Sequence, residues 1–326
     1  PFWLRHSWLQ GARPPRMPIA RPIGRAAAGV AAAAAWQFCG RRCFWRAGPA
    51  GARRVAMAAP LRVIVTGGSS GIGRALVAKL AARGHQVYAT GRDAKALRGL
   101  ESLGVSEAAS GAKVRASAGD VSCEADVERQ FKEAAEFFGG PPDVLVANAG
   151  CGAGRQDFEE VPAEQFDRVM STNVRGVFLW VQRVVGPMKR QGRGQVVVTS
   201  SMAAVKPCPR AAVYAASKAA VQAMVLSLRA ELKGTGVKVG TVNPGAVATE
   251  WWGDAGRGGW TEEMAPQGQP FWTEMLRPED VADGVLSLVF QKASSNIESL
   301  YMDPADSGGA APPAAPGCPA KRPRTD

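Results

Sequence analysis

Cysteine, histidine and tyrosine are scarce in this chain of 326 residues, which has six, two and three of them. The cysteines, at positions 39, 43, 123, 151, 208 and 318, show no paired framework, and Cys39-x-x-x-Cys43 lacks a second ligand pair. We therefore predict no disulfide scaffold, no metal site and a reducing compartment. The apolar run from Ala26 to Trp36 is shorter than the ~20 residues that a membrane-spanning helix needs, so no transmembrane segment is predicted.

Acidic residues are absent before Asp93, while the first 60 residues hold ten arginines and no lysine. This composition is typical of an organelle transit peptide, and we predict a leader over residues 1–59. Two alternatives stay open: upstream sequence translated in error ahead of a start at Met57, or a disordered extension. The expected location is a plastid or mitochondrion if the leader is a transit peptide, and the cytoplasm otherwise.

Positive charge is concentrated in that leader. The chain has a formal charge of +12, but residues 61–326 carry 30 basic and 28 acidic residues, a net of +2. Without the leader there is no basic patch of the kind that nucleic acid needs, so a basic nucleic-acid-associated protein is disfavoured and no nucleic-acid partner is predicted. Residues 305–326 are small and Pro-rich, and we predict a disordered tail there.

Residues 60–304 alternate short β-branched runs with helical patterns, which predicts a single α/β domain. The predicted strands cover residues 61–66, 86–90, 112–117, 143–147, 195–200, 237–242 and 297–301. Helices between successive strands imply a parallel sheet of about seven strands that is covered on both faces. Ligands of such sheets bind at the carboxyl ends of the strands.

A glycine-rich loop, TGGSSGIG from Thr66 to Gly73, follows the first predicted strand and precedes a helix from Arg74 to Arg83. Glycines let the backbone turn tightly and approach a pyrophosphate, whose charge then lies at the positive end of the helix. The spacing differs from the commoner G-x-G-x-x-G, so the loop alone is weak evidence of a dinucleotide site.

Tyr214 and Lys218 stand four residues apart, and Ser201 lies thirteen residues before the tyrosine. Positions i and i+4 share one face of a helix, so the lysine ammonium is expected to lower the pKa of the phenol for proton transfer. The spacing alone favours a chance pair on a solvated helix. Ser201, at the end of a predicted buried strand, and the upstream glycine loop support the catalytic interpretation.

These motifs, together with Asn148-Ala-Gly150, Asn173 and Asn243-Pro-Gly245, resemble the short-chain dehydrogenase/reductase family in order and separation. The resemblance runs from about Leu61 to Pro304, and five linked motifs make it specific. Ala147 departs from it, because the family usually has a second asparagine there. The resemblance implies a Rossmann-type doubly wound sheet, a small carbonyl or alcohol substrate, and a homodimer or homotetramer.

The resemblance also implies catalytic roles. Tyr214 would donate a proton to the carbonyl oxygen as hydride arrives, or remove it in the oxidative direction, while Ser201 holds that oxygen. Lys218 would lower the phenol's pKa and hydrogen-bond the nicotinamide ribose. Asn173 would hold a water that feeds the proton relay; its alternative is an interior asparagine that bonds backbone.

Cofactor contacts are expected from the loops at the strand ends. Asp120 would bond the adenine, although an Asp there could also be a helix cap. Thr249 would contact the nicotinamide amide, and Asn148 is expected mainly to tie neighbouring strands together. The full expected set is Thr66, Gly67, Ser69, Ser70, Gly71, Ile72, Gly73, Arg92, Asp120, Val121, Asn148, Ala149, Gly150, Tyr214, Lys218, Pro244, Gly245, Val247 and Thr249.

NADP(H) is the expected cofactor because no carboxylate occupies the end of the second strand. NAD-dependent relatives place an acid there to bond the ribose 2′-hydroxyl, whereas this chain has Gly91 followed by Arg92. The Arg92 guanidinium can pair with a 2′-phosphate. Alternatively, Arg92 is an ordinary exposed arginine, and Asp93 is either a helix cap or, counting one residue further, the acid itself.

Residues 248–275 interrupt the alternation with four tryptophans and a phenylalanine among glycines, which predicts a substrate lid, or else a local cluster or subunit contact. Aromatic residues there favour an apolar or aromatic carbonyl compound. The stretch from Arg277 to Pro304 resembles NADP-dependent hydroxy-acid dehydrogenases and carbonyl reductases. Two alternatives are an organellar 3-oxoacyl-thioester reductase and a catalytically silent NADP-binding regulator.

Overall fold

The computed structural model describes residues 59–102, 113–154, 156–251 and 275–305. Within these ranges the strands are β1 (Arg62–Thr66), β2 (Gln86–Gly91), β3 (Lys113–Ala118), β4 (Val144–Ala147), β5 (Gly194–Thr199), β6 (Val237–Pro244) and β7 (Ser299–Met302). The α-helices are α1 (Gly71–Ala82), α2 (Ala94–Glu101), α3 (Glu124–Phe138), α4 (Ala163–Met170), α5 (Gly176–Arg190), α6 (Ala212–Glu231) and α7 (Pro278–Val289).

All seven strands form one sheet in the order β3-β2-β1-β4-β5-β6-β7, and every neighbouring pair is parallel. The strand order reverses between β1 and β4, which is the topological switch point of a doubly wound sheet. A crevice therefore opens there at the carboxyl edge of the sheet. The predicted Rossmann-type α/β fold is confirmed.

The core lies on both faces of the sheet because successive strand residues point in opposite directions. Val63 and Val65 of β1 face one cluster, which α1, α2 and α7 cover. Ile64 faces the other cluster, where α3, α5 and α6 pack and Trp180 is 1% exposed. Strands buried on both faces read as continuous apolar runs, as VIV in β1 and VVV in β5 do.

The predicted strands agree with the observed ones to within about two residues. The seventh differs most: residues 297 and 298 were expected in β7, but the strand begins at Ser299. The Ile297 N–H donates to Gln291 Oε1 at 2.7 Å, and its carbonyl accepts from Arg229, so side chains hold it outside the strand. Helix α1 begins three residues earlier than expected, at Gly71.

The predicted leader except Ala59, the predicted tail except Ala305, and most of the predicted lid lie outside the described residues. Of the lid, residues 248–251 and Met275 are described, and a bridge between Val247 and Leu276 joins the chain on its two sides. The boundaries at residues 59 and 304 stay predictions. Within the ranges that the structure describes, no helix is both long enough and apolar enough to cross a membrane.

Candidate active site

One cavity of about 760 Å³ lies at the carboxyl edge of the sheet, and most of the expected site residues line it. These are Gly67, Ser69, Ser70, Gly71, Ile72, Arg92, Asp120, Val121, Asn148, Ala149, Gly150, Ser201, Tyr214, Lys218, Pro244, Gly245, Val247 and Thr249. Thr66, Gly73 and Asn173 do not line it. The motifs, spread over about 180 residues of sequence, thus meet at one place.

The glycine loop has the close packing that its sequence predicts. Gly67 and Gly71 have positive φ angles of 67° and 49°, which disfavour other residues. A Cβ on Gly73 would lie 2.1 Å from the Gly67 carbonyl oxygen, so only glycine lets the helix approach the loop. Helix α1 begins here with no acidic residue in its first turn. Its unpaired N–H groups and positive end suit a phosphate group.

Thr66 and Asn148 hold the ends of three strands together. The Thr66 hydroxyl accepts hydrogen bonds from the N–H groups of Asn148 and Ala149, both at 3.0 Å. The Asn148 amide donates to the Thr66 carbonyl at 3.2 Å and accepts from the Thr199 hydroxyl at 3.2 Å. The geometry agrees with the structural role expected of Asn148. Thr66 has the same structural role: its side chain accepts hydrogen bonds from the loop after β4, and it does not line the cavity.

Asn173 lies in a π-helical turn, Ser171–Arg175, between α4 and α5, and is 1% exposed. Its side-chain oxygen accepts from the Cys151 N–H at 2.8 Å, and its amide donates to the Cys151 carbonyl and the Ser217 hydroxyl at 2.9 Å. These bonds match the interior asparagine of the alternative interpretation. A role in a proton relay stays a prediction, and it would have to use the backbone of this turn. Turns of this kind are frequent at functional sites.

Ser201 lies two residues after the end of β5 and caps the short 3-10 helix Met202–Ala204, whose Ala203 N–H donates to its Oγ at 3.1 Å. The capping bond uses the hydroxyl as an acceptor, so its proton remains available to an oxygen in the cavity. Tyr214 is placed in the first turn of α6, partly exposed to that cavity. Burial raises the pKa of Tyr214 to about 12, although its hydrogen bond with Ser201 lowers it.

Lys218 lies one turn further along α6 and is 5% exposed. Its Nζ is 5.8 Å from the centroid of the Tyr214 ring and donates to the Thr199 carbonyl at 2.9 Å. Burial lowers the pKa of Lys218 to about 8. The spacing predicts a phenol with a lowered pKa, whereas the phenol's pKa is raised in the structure. The reason is that burial disfavours the charged form of both groups.

The end of β2 places Arg92 on the cavity wall with an exposed side chain. Asp93 caps α2: its carboxylate accepts from the N–H groups of Lys95 and Ala96 at 2.9 and 3.0 Å, which hold its pKa below the usual value. This is the helix-cap alternative for Asp93. Gly91 is buried, and a Cβ there would lie 3.0 Å from Ser69 Oγ, so a side chain at 91 would crowd Ser69.

Asp120 is held in its loop by Ser122, whose N–H and hydroxyl donate to its Oδ1 at 2.8 and 2.7 Å. The carboxylate caps this turn rather than the helix itself, where Asp126 accepts from the Asp120 N–H at 2.9 Å. Asp120 nevertheless lines the cavity. The expected contact with adenine stays a prediction.

The cavity also has walls that the sequence motifs did not predict. The loop after β4 contributes Gly152, Ala153 and Gly154, and the loop after β5 contributes Met202, Ala203, Lys206, Cys208 and Ala211. Trp251, which belongs to the predicted lid, packs edge-on against Tyr214, with ring centroids 5.8 Å apart. The position of the second loop, between Ser201 and Tyr214 in sequence, was the signal that could have identified it.

Known proteins are similar to this chain in sequence. A family model described as short chain dehydrogenase matches residues 62–258. The NADP-dependent 3-hydroxy acid dehydrogenase YdfG of Salmonella typhi is 30% identical over 249 residues, which are 74% of this chain and 94% of that protein. The glycine betaine reductase ATRR of Emericella nidulans is 36% identical over 246 residues, but the chain spans only 18% of its length.

A solved structure is also similar to this chain. It is the alcohol dehydrogenase from the archaeon Thermococcus sibiricus complexed with 5-hydroxy-NADP, with a TM-score of 0.64 and 29% sequence identity. The match covers 74% of this chain and 96% of that one. Family model, curated relatives and structure converge on one conclusion: the chain belongs to the short-chain dehydrogenase/reductase family of oxidoreductases.

Proposed function

We propose that the protein is an NADP(H)-dependent oxidoreductase that interconverts a carbonyl compound and a secondary alcohol. The observation that carries the proposal is that Ser201, Tyr214 and Lys218 line the same cavity as the glycine loop. The proposed substrate is a small, largely apolar or aromatic compound, because Trp251 packs against the phenol and small apolar residues such as Ala153 line the same cavity.

The residues present suit a dinucleotide. The N-terminus of α1 and the glycines at positions 67 and 71 form a cradle that a side chain would fill, next to unpaired N–H groups. Arg92 would pair with a 2′-phosphate, while Asp93 is committed to capping α2. The nicotinamide would supply or accept the hydride when bound. NADP(H) is also named for two similar proteins, the Salmonella dehydrogenase and the archaeal structure.

The proton is handled by Tyr214 and Ser201. With a pKa of about 12, Tyr214 is protonated at neutral pH and can donate its proton to a carbonyl oxygen that is becoming an alkoxide. The Ser201 hydroxyl donates a second hydrogen bond to that oxygen, since the bond from the Ala203 N–H uses the hydroxyl only as an acceptor. In the oxidative direction the phenolate removes the alcohol proton.

Lys218 stabilises that phenolate. Its Nζ is 5.8 Å from the phenol ring, in a buried position where a positive charge attracts a developing negative charge strongly. The Thr199 carbonyl at the end of β5 accepts a hydrogen bond from Nζ and so fixes the direction of the side chain. The two remaining N–H donors of the ammonium are available to a ribose hydroxyl.

The proposal is tested by following absorbance with NADPH and NADH over a panel of aldehydes, ketones, oxo acids and quinones. We expect turnover with NADPH and weaker turnover with NADH. Arg92→Ala is expected to raise the KM for NADPH at least about tenfold, equivalent to about 1.4 kcal/mol, with little effect on NADH. Arg98→Ala, which removes an exposed arginine of α2 outside the cavity, is the control.

The single change at 92 is a cleaner test than an acid at 91, because a Cβ on Gly91 would crowd Ser69. Equal kcat/KM for NADH and NADPH in the parent enzyme would refute the cofactor assignment. Absence of turnover with every carbonyl compound, together with normal NADPH binding, would favour the silent regulator instead.

A further inference from the structure

A lysine stands on the substrate side of the cavity, in the loop after β5. Lys206 lines the cavity and follows the 3-10 helix that Ser201 caps, and its N–H donates to the Met202 carbonyl at 2.8 Å. The backbone of Lys206 is therefore fixed within about one helical turn of the serine that faces the reacting oxygen. Its side chain is 74% exposed.

The ammonium of Lys206 is only loosely paired. Its Nζ lies 3.9 Å from Asp303 Oδ2, beyond hydrogen-bond distance. Asp303 lies next to the cavity wall, since its Oδ1 is 2.5 Å from the position that a Cβ on Gly245 would take, and Gly245 lines the cavity. One carboxylate oxygen thus packs on the wall while the other faces Lys206.

The other cations of the described cavity wall have different places. Lys218 is buried beside the phenol, and Arg92 follows β2, which β1 and β4 separate from β5. Among the described residues that line the cavity, Lys206 is therefore the exposed cation on the Tyr214 side. Glu250 also lines the cavity there but makes no ion pair with Lys206. The described wall therefore offers a substrate both a cation and an anion.

We propose that the substrate carries a carboxylate, which pairs with Lys206 in competition with Asp303, so that the enzyme acts on oxo acids and hydroxy acids. The proposal rests on the proposed function and adds a substrate class to it. In the bound state the substrate carboxylate replaces Asp303 as the partner of the ammonium. No bond is made or broken at this position, and the hydride and proton steps are unchanged.

The test measures binding separately from turnover. Phenylglyoxylate and levulinate, each beside its neutral methyl ester, are titrated calorimetrically into the full-length protein saturated with NADP⁺. The oxidised cofactor cannot reduce a ketone, so Kd is obtained without reaction. NADP⁺ alone is titrated first. If the protein does not bind it, the proposed function and this proposal are both wrong.

The parent enzyme is expected to bind at least one acid more tightly than its ester. Lys206→Gln should weaken that acid about three- to fivefold, the range of an exposed ion pair, while the ester's Kd stays within about twofold. Added salt should weaken acid binding in the parent and have less effect in the variant. Lys189→Gln, an exposed lysine of α5 outside the cavity, is the matched control and should change neither ligand.

Asp303→Asn gives the decisive comparison, because it removes the competing charge while keeping the shape of the side chain. If Lys206 serves the substrate, Asp303→Asn should tighten acid binding about twofold or more, opposite in sign to Lys206→Gln. If the Lys206–Asp303 pair only holds the loop in place, both variants weaken acid and ester alike, and the proposal is wrong. It is also overturned if the parent binds neither acid, or binds acid and ester equally. NADPH-dependent reduction of the esters would then leave the proposed function standing.

Discussion

Replacement of Tyr214 by phenylalanine is the sharpest test of the chemistry. The change removes one oxygen and keeps the ring, which contacts Trp251 edge-on at 5.8 Å between centroids and lies 5.8 Å from Lys218 Nζ. General acid catalysis contributes about 10²–10⁴ in rate. We therefore expect kcat to fall by that factor, equivalent to about 3–5 kcal/mol in the activation free energy.

The same change should leave the fold and the cofactor site intact. The phenol oxygen loses its hydrogen bond with Ser201, and a typical net hydrogen bond contributes about 0.5–1.5 kcal/mol to stability. Urea unfolding should therefore show a loss of that order or less, since a buried phenol is also freed from desolvation. The Kd for NADPH, measured by fluorescence titration, should stay within about threefold of the parent.

Tyr301→Phe supplies the control for this experiment. Tyr301 is 49% exposed on β7, and the same oxygen is removed there without touching the cavity. It should retain the parent's kcat. A Tyr214→Phe variant that kept half of the parent's kcat, in the same assay of NADPH absorbance, would show that the phenol is not the proton donor.

Gly73→Ala places a Cβ 2.1 Å from the Gly67 carbonyl oxygen and should lower the unfolding free energy by about 1–3 kcal/mol or more. Gly99→Ala, on α2, meets nothing within 4 Å and should raise the unfolding free energy by up to about 1 kcal/mol. Equal effects of the two changes in urea unfolding would contradict the packing. For Lys218, the folded pKa of about 8 lies below its ordinary 10.5, so between these pH values the unfolded chain binds the extra proton. The unfolding free energy of the cofactor-free protein should then rise with pH by up to about 3 kcal/mol, and Lys218→Met should abolish that rise. Alcohol oxidation, which needs the Tyr214 phenolate, should increase between about pH 6 and pH 8, while carbonyl reduction stays level; a pH profile with the opposite slopes would exclude the phenol as acid and base.

The fold was predictable because a parallel sheet buried on both faces leaves a plain record in the sequence. Runs such as VIV before Thr66 and VVV before Thr199 have no polar alternation, and each is followed by a loop and a helix. Ends of elements were less predictable. The start of β7 depends on a bond from Ile297 to the Gln291 side chain, a contact between residues that no periodicity reveals.

The candidate site was predictable where residues are close in sequence or belong to a motif. It was not predictable where a hydrogen bond to a residue distant in sequence sets the position of a side chain. The direction of the Asn173 side chain is set by Cys151 and Ser217, which are 22 and 44 residues away. Asp93 had two roles open from sequence, and two backbone N–H bonds decide for the helix cap. Lys206 was missed because only the folded loop brings it to the cavity wall.

The pKa of Tyr214 is raised where Lys218 is neutral, whereas Lys218 is expected to lower it only where Lys218 is protonated. Near pH 12 the phenol ionises beside a lysine that has already lost its proton near pH 8, so no cation offsets burial. Below about pH 8 Lys218 is protonated, and its Nζ lies 5.8 Å from the centroid of the Tyr214 ring. At an effective dielectric constant of about 20, the ammonium then favours the phenolate by about 3 kcal/mol. Any contact that keeps Lys218 protonated therefore also lowers the pKa of the Tyr214 phenol. The Thr199 carbonyl, which accepts from Nζ at 2.9 Å, favours the ammonium. Because that carbonyl is the last of β5, the end of this strand takes part in setting the chemistry as well as in placing Ser201.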